Sequence, residues 1–191
     1  GEVYHVYASF RRYRGIPGLG GAFTTKAISG GGALIDIGVH YLDIIMYAMN
    51  DPKPVTASGR AFSKLGADMK KYVYESMWAE DTMDLNGTYD VDDFVTAFVR
   101  TDGPTITLNG SWAQNIGQAE GYIDFLGTEA GIRLNYGGDF TLYGVKDGKL
   151  TVKLIDGREW YEHIGIGFGD TKITVYIPER TYGDLLIDLS T

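Results

Sequence analysis

The sequence predicts an α+β fold: a large, mainly antiparallel open sheet with one principal helix packed on one face. Three observations carry that expectation. Beyond residue 92, apolar and polar residues alternate with a period of two through short segments separated by turn residues. One stretch, from Gly30 to Met49, instead repeats its apolar residues at helical spacing and contains no proline. The 27 glycines, well above average usage, fit the turn density that consecutive hairpins require.

Taken in order, residues 2–10 are rich in Val, Tyr and Phe and read as a strand, in which His5 is a sheet residue. Residues 11–32 read as a long, flexible access loop. Its run from Gly15 to Gly21 follows a strand as a phosphate-binding loop would, but Pro17 interrupts it and no helix opens directly after it. The three glycines at 30–32 then turn the chain into the helix. Leu34, Ile37, Tyr41, Ile44, Ile45 and Ala48 give it a broad apolar surface, while Asp36, His40 and Asp43 project from one side of its first turns. An Asp near a helix start sits favourably in the macrodipole and, four residues before a His, can orient the imidazole. Asp36 and His40 are therefore the candidate catalytic acid/base pair. The same two types also arise from plain capping and from core hydrogen bonding. A metal site is not expected, since no second His lies nearby and there are no cysteines.

The helix stops at Asn50-Asp51-Pro52. Residues 55–65 read as a strand, and 66–89 as an excursion of lid or binding-loop type, with a short helix over 69–78 as one option and Trp78 as its anchor or as a packing residue. Phe94, Thr96, Phe98 and Arg100 share one face of the next strand, and Val95, Ala97 and Val99 share the other. Asp102-Gly103 turns that strand into 105–112. Segments 121–127, 131–136, 140–145 and 150–155 continue as hairpins, giving a broad antiparallel meander. Near the end, His163 reads as a surface residue, 172–177 as a strand and 184–189 as too short for a full helix.

With 25 acidic and 17 basic residues the formal charge is −8, which repels nucleic-acid phosphates and anionic lipid. No nucleic-acid or membrane partner is expected. No apolar run approaches transmembrane length. A hydrophobic content of 44% over 191 residues is enough for one domain with a real core, and the absence of cysteine rules out disulfides. The chain opens already strand-like, with no Met and no signal-peptide pattern, as a piece of a longer protein would.

The string GGGALIDIGVHYLDIIMYAM from Gly30 to Met49 resembles the GGG-x-L-x-D-x-G-x-H-x-x-D signature in the second domain of the Gfo/Idh/MocA oxidoreductases. Val91-Asp92-Asp93, Asn109-Gly110-Ser111-Trp112-Ala113 and Gly127-Thr128-Glu129-Ala130-Gly131-Ile132 follow in the family's order. The resemblance implies that residues 1–191 are one domain of a two-domain NAD(P)-dependent dehydrogenase. The N-terminal Rossmann domain, which brings the glycine fingerprint and a catalytic lysine, is absent from this chain. It implies a polyol, sugar or sugar-derivative substrate, with Asp36 and His40 in catalysis and Thr25 and Lys26 in the segment that lines the pocket. It also implies NAD or NADP bound mainly by the other domain, a homo-oligomer formed through the open sheet face, an inactive isolated domain and, with no leader visible, a cytoplasmic location. Two other readings are a freestanding carbohydrate-binding or dimerisation module and an NAD-using glycosidase of the same superfamily.

Overall fold

A computed structural model describes residues 1–75, 83–117, 119–135, 140–155, 165–168 and 171–174. The segment around Trp78, His163 and the residues from 175 onward, including the short apolar run at 184–189, lie outside them. The strands are β1 (Val3–Arg11), β2 (Pro54–Phe62), β3 (Phe94–Thr101), β4 (Thr105–Ser111), β5 (Glu120–Gly127), β6 (Ala130–Asn135), β7 (Phe140–Lys146), β8 (Lys149–Ile155), β9 (Gly165–Phe168) and β10 (Thr171–Thr174). The first eight form one open sheet in the order β2-β3-β4-β1-β5-β6-β7-β8, and β9 and β10 pair separately. Every described pairing in the large sheet is antiparallel except β1 with β4, which run parallel in the register Val6 to Ile106 and Ala8 to Leu108.

The simple meander is thus interrupted. The first strand enters between two hairpin systems, at the centre of the sheet. That interior position buries Val6, Ala8 and Phe10 on one face. Neighbouring strands continue the same face with Val95, Ile106, Leu108, Ile123, Phe125 and Leu142, all buried. Helix α2 (Val39–Ala48) covers this face through Tyr41 and Ile45, with the Phe10 and Tyr41 rings 5.1 Å apart. The alternation read from the sequence therefore assigns the two faces of the sheet correctly. The helix is less enclosed than its apolar content implies, because Ile35, Val39 and Ile44 remain exposed.

The helical run from Lys26 to Ala48 spans 23 residues and is long and apolar enough by length and composition to cross a membrane. That departs from the sequence expectation. The run is not one straight helix, however. Helix α1 (Lys26–Ser29) ends at Gly30, whose φ of 81° reverses the chain before the next turn begins.

No helix among the described residues covers the opposite face of the sheet. That face presents Tyr7, Phe98, Tyr143, Val145, Leu150 and Val152 as exposed side chains. Between them lie paired polar groups: Thr96 with Asn109 and Arg133 with Asp124.

Candidate active site

The principal helix does not begin as an α-helix. Residues Leu34–Gly38 form a π-helical turn, the wider i→i+5 winding found frequently at functional sites, and α2 follows without a break. This entry is held from a distance. The Asp92 carboxylate accepts the N–H groups of Gly32 at 2.9 Å and Leu34 at 3.1 Å, and the Asp92 carbonyl accepts the N–H of Ala33 at 3.0 Å. A Cβ on Gly32 would lie 1.8 Å from that carbonyl oxygen, so only glycine permits the approach. The amides that a helix start offers to an anion are consequently occupied, and by a group of the wrong charge for a phosphate neighbour.

Asp36 sits in the π turn, half-buried. Its Oδ2 accepts the indole N–H of Trp112 at 2.8 Å. Trp112 is fully buried just beyond β4, where its own N–H donates to the Asp93 carbonyl and its carbonyl accepts the N–H of Gly15, both at 2.9 Å. His40 and Asp43 are exposed on the following turns. Asp36 in the π turn and His40 in the first turn of α2 are four residues apart, and no described hydrogen bond joins them. The described partner of Asp36 is the tryptophan. Among the described residues no three His, Asp or Glu side chains converge as metal ligands.

Thr25 and Lys26 stand at the start of α1. The Thr25 hydroxyl donates to the Gly21 carbonyl at 2.9 Å, which leaves its lone pairs as acceptors. The Lys26 N–H donates to Asp90 Oδ1 at 2.6 Å and the residue is exposed. No described contact links either residue to Asp36 or His40. Thr24 is the buried member of this run: its hydroxyl accepts the Gly20 N–H and donates to the Thr88 carbonyl, both at 2.8 Å.

The segment expected to be a flexible access loop is pinned. Gly15 through Gly20 are buried. The Tyr72 hydroxyl accepts the Ile16 N–H at 3.2 Å and the Tyr74 hydroxyl accepts the Leu19 N–H at 3.1 Å, with the two rings meeting edge to face. Burial pushes the Tyr72 phenol up to about 12. Residues 69–71 form a turn and 72–75 are irregular, not the short helix allowed as an option over 69–78, whose last three residues lie outside the described ones. The glycine-rich run thus folds into the core, which removes it as a phosphate loop.

Asp93, 1% exposed, completes the frame: its Oδ2 accepts the N–H groups of Lys64, Leu65 and Gly66 at 2.7–2.9 Å. Burial, then the nearby Asp93 charge, push the Tyr89 phenol well above the ordinary tyrosine range. Two successive aspartates therefore fix two different segments. The spacing rules used on the sequence are local and could not pair Asp92 with Gly32 or Trp112 with Asp36. The available signals were two adjacent acidic residues opening a strand and a tryptophan closing one.

Residues 1–133 match the GFO/IDH/MocA C-terminal domain family. D-glucoside 3-dehydrogenase of Escherichia coli (strain K12) is 35% identical over 136 residues, which are 70% of this chain and 36% of that protein. The solved structure of levoglucosan dehydrogenase in complex with NADH superposes with a TM-score of 0.63 at 16% identity, covering 82% of this chain and 40% of that one. An NAD binding oxidoreductase from Klebsiella pneumoniae gives a TM-score of 0.61 at 17% identity, with 82% and 40% covered. At such identities the structural likeness shows the fold alone. The chain spans about a third of the length of the curated relatives it matches, at 31% and 36%.

Proposed function

The chain belongs to the GFO/IDH/MocA C-terminal domain family, and from that premise we propose that it is the substrate-binding and oligomerisation domain of an NAD(P)-dependent dehydrogenase acting on a polyol, sugar or sugar derivative. The observation that carries this reading is the helix entry itself, where an exposed His40 follows an Asp36 whose carboxylate accepts the Trp112 indole N–H. His40 would hydrogen-bond the reacting hydroxyl and take its proton, with Asp36 holding the geometry around it. Thr25 and Lys26 would add hydrogen bonds to other hydroxyls of the substrate.

Hydride acceptance belongs to NAD or NADP, held mainly by a domain other than this one. The described residues do not fit a pyrophosphate: the helix-entry amides are bonded to Asp92 and the Gly15–Gly20 run is buried. This chain alone is then expected to be inactive. Its open sheet face, lined with Tyr7, Phe98 and Tyr143, suits a second copy of the protein.

The test is a screen of the full-length protein against hexoses, glucosides and polyols with NAD and with NADP. Asp36→Asn and His40→Ala are each expected to lower kcat by about a hundredfold or more while leaving cofactor affinity unchanged. Wild-type rates in both variants would remove the catalytic assignment, and activity of residues 1–191 alone would remove the division of labour.

A further inference from the structure

Trp112 is fully buried and takes no part in the proposed proton transfer, yet its one side-chain polar atom is spent on the proposed catalytic carboxylate. A buried indole N–H needs an acceptor, and a backbone carbonyl would satisfy it. Here the acceptor is the half-buried side chain of a solvent-facing helix turn. We propose that Trp112 is a positioning residue for the Asp36 and His40 pair: its indole N–H holds the Asp36 carboxylate in one rotamer and reserves Oδ1 for the substrate side of the site. The inference rests on the dehydrogenase reading above.

Three features support it. The indole is a donor only, so Oδ2 gives one of its lone pairs to it and that edge of the carboxylate is held toward Trp112. Oδ1 accepts no described hydrogen bond and is left for the substrate side. The donor itself cannot wander, because the Trp112 backbone is bonded on one side to Asp93 and on the other to Gly15, and Asp93 is anchored by three further N–H groups. A rigid chain of contacts thus runs from the 64–66 segment through Asp93 and Trp112 to Asp36. Holding a catalytic group within a fraction of an ångström is what such a supporting shell achieves.

The experiment uses the full-length protein with Trp112 replaced by 3-benzothienylalanine, whose sulfur removes the N–H while keeping the ring's shape, and with Trp112→Phe as a second variant. Expected in the isosteric variant is a fall in kcat of about tenfold, with KM for the cofactor unchanged and a native-like melting curve. In an Asp36→Asn background the same replacement is expected to cost less than about twofold, since the group it acts through is already altered. An unchanged kcat in the isosteric variant, or an equal loss in both backgrounds, would overturn the proposal.

A second readout is independent of turnover. The Trp112 indole N–H resonance is expected to be protected from exchange and to shift in Asp36→Asn. A resonance indifferent to Asp36 overturns the link whatever the activity. A responsive resonance in a wild-type protein that oxidises no sugar supports the link and overturns the dehydrogenase reading instead.

Discussion

The Asp92 carboxylate binds the N–H groups of Gly32 and Leu34 across 60 and 58 residues of sequence, so the principal helix is capped by the strand system it packs against. Local capping residues are missing at this entry: no side chain of the preceding turn bonds the helix amides. A remote carboxylate does two jobs at once. It satisfies amides that would otherwise be orphaned, and it sets the helix start, with Asp36, at a fixed place relative to β3 and β4.

Asp92→Ala is accordingly expected to destabilise the domain by about 3 kcal/mol, the loss of two charge-assisted hydrogen bonds. For a domain of this size that corresponds to a fall in Tm of roughly 10 °C. Asp92→Asn keeps one acceptor and turns an amide NH₂ toward the other N–H, so its loss should be intermediate. Thermal unfolding of the three proteins checks this, and a wild-type Tm for Asp92→Ala would exclude the remote cap.

What was legible in the sequence was periodic or contiguous. The two-residue alternation from Phe94 to Arg100 assigned both faces of β3, and the apolar spacing from Leu34 to Ala48 identified the helix that covers the sheet. The contiguous signature from Gly30 to Met49 resembles that of the family to which the chain belongs. What was not legible depends on contacts between distant segments. The central place of β1, the clamping of residues 15–20 by Tyr72 and Tyr74, and the bond from Trp112 to Asp36 leave no trace in local spacing. Glycine content suggests a flexible access loop over 11–32, but glycines also serve where backbones pack closely, as Gly20 does against the Asp84 carbonyl.

Tyr72→Phe tests that clamp. Removing the hydroxyl leaves the N–H of fully buried Ile16 without its described acceptor, at an expected cost of about 1–3 kcal/mol. The phenol's raised pKa makes a second, linked statement. Its folded value of about 12 lies above the ordinary 10.0, so the unfolded chain releases this proton first and the tyrosine favours unfolding as pH rises above 10. Alkaline unfolding curves should therefore be shallower in Tyr72→Phe than in the wild type, while identical slopes would count against the burial of this phenol.

Phe98 stands on the open face, 43% exposed, with Tyr7 and Tyr143 on the same face. Exposed aromatic residues on a sheet face that no described helix covers are the side chains that a second copy would bury. Phe98→Asp should leave folding within about 0.5 kcal/mol of the wild type, because the residue is at the surface of this chain, while shifting the full-length protein toward monomer in sedimentation velocity. An unchanged sedimentation profile would move the contact away from this face.

His5 gives the sheet a pH dependence of known sign. Its Nδ1 lies 2.6 Å from the Thr105 hydroxyl and its Nε2 lies 3.3 Å from the Thr107 hydroxyl, and its ring meets Tyr7 edge to face. Two hydroxyls can exchange donor and acceptor roles around a neutral imidazole, and neither neutralises a charged one. Burial lowers the His5 pKa from its ordinary 6.5. The unfolded chain therefore takes up the proton first as pH falls. The stability that neutral His5 secures is complete above pH 6.5 and is lost progressively as pH drops from there toward the lower folded value. His5→Gln, which retains hydrogen bonding and cannot titrate, should show a smaller decrease in urea midpoint between about pH 7.5 and about pH 5 than the wild type. The comparison of the two decreases cancels contributions from other titrating groups. Equal decreases would mean that the histidine is as readily protonated in the folded sheet as in the unfolded chain, and that the Thr105 and Thr107 hydroxyls do not hold it neutral.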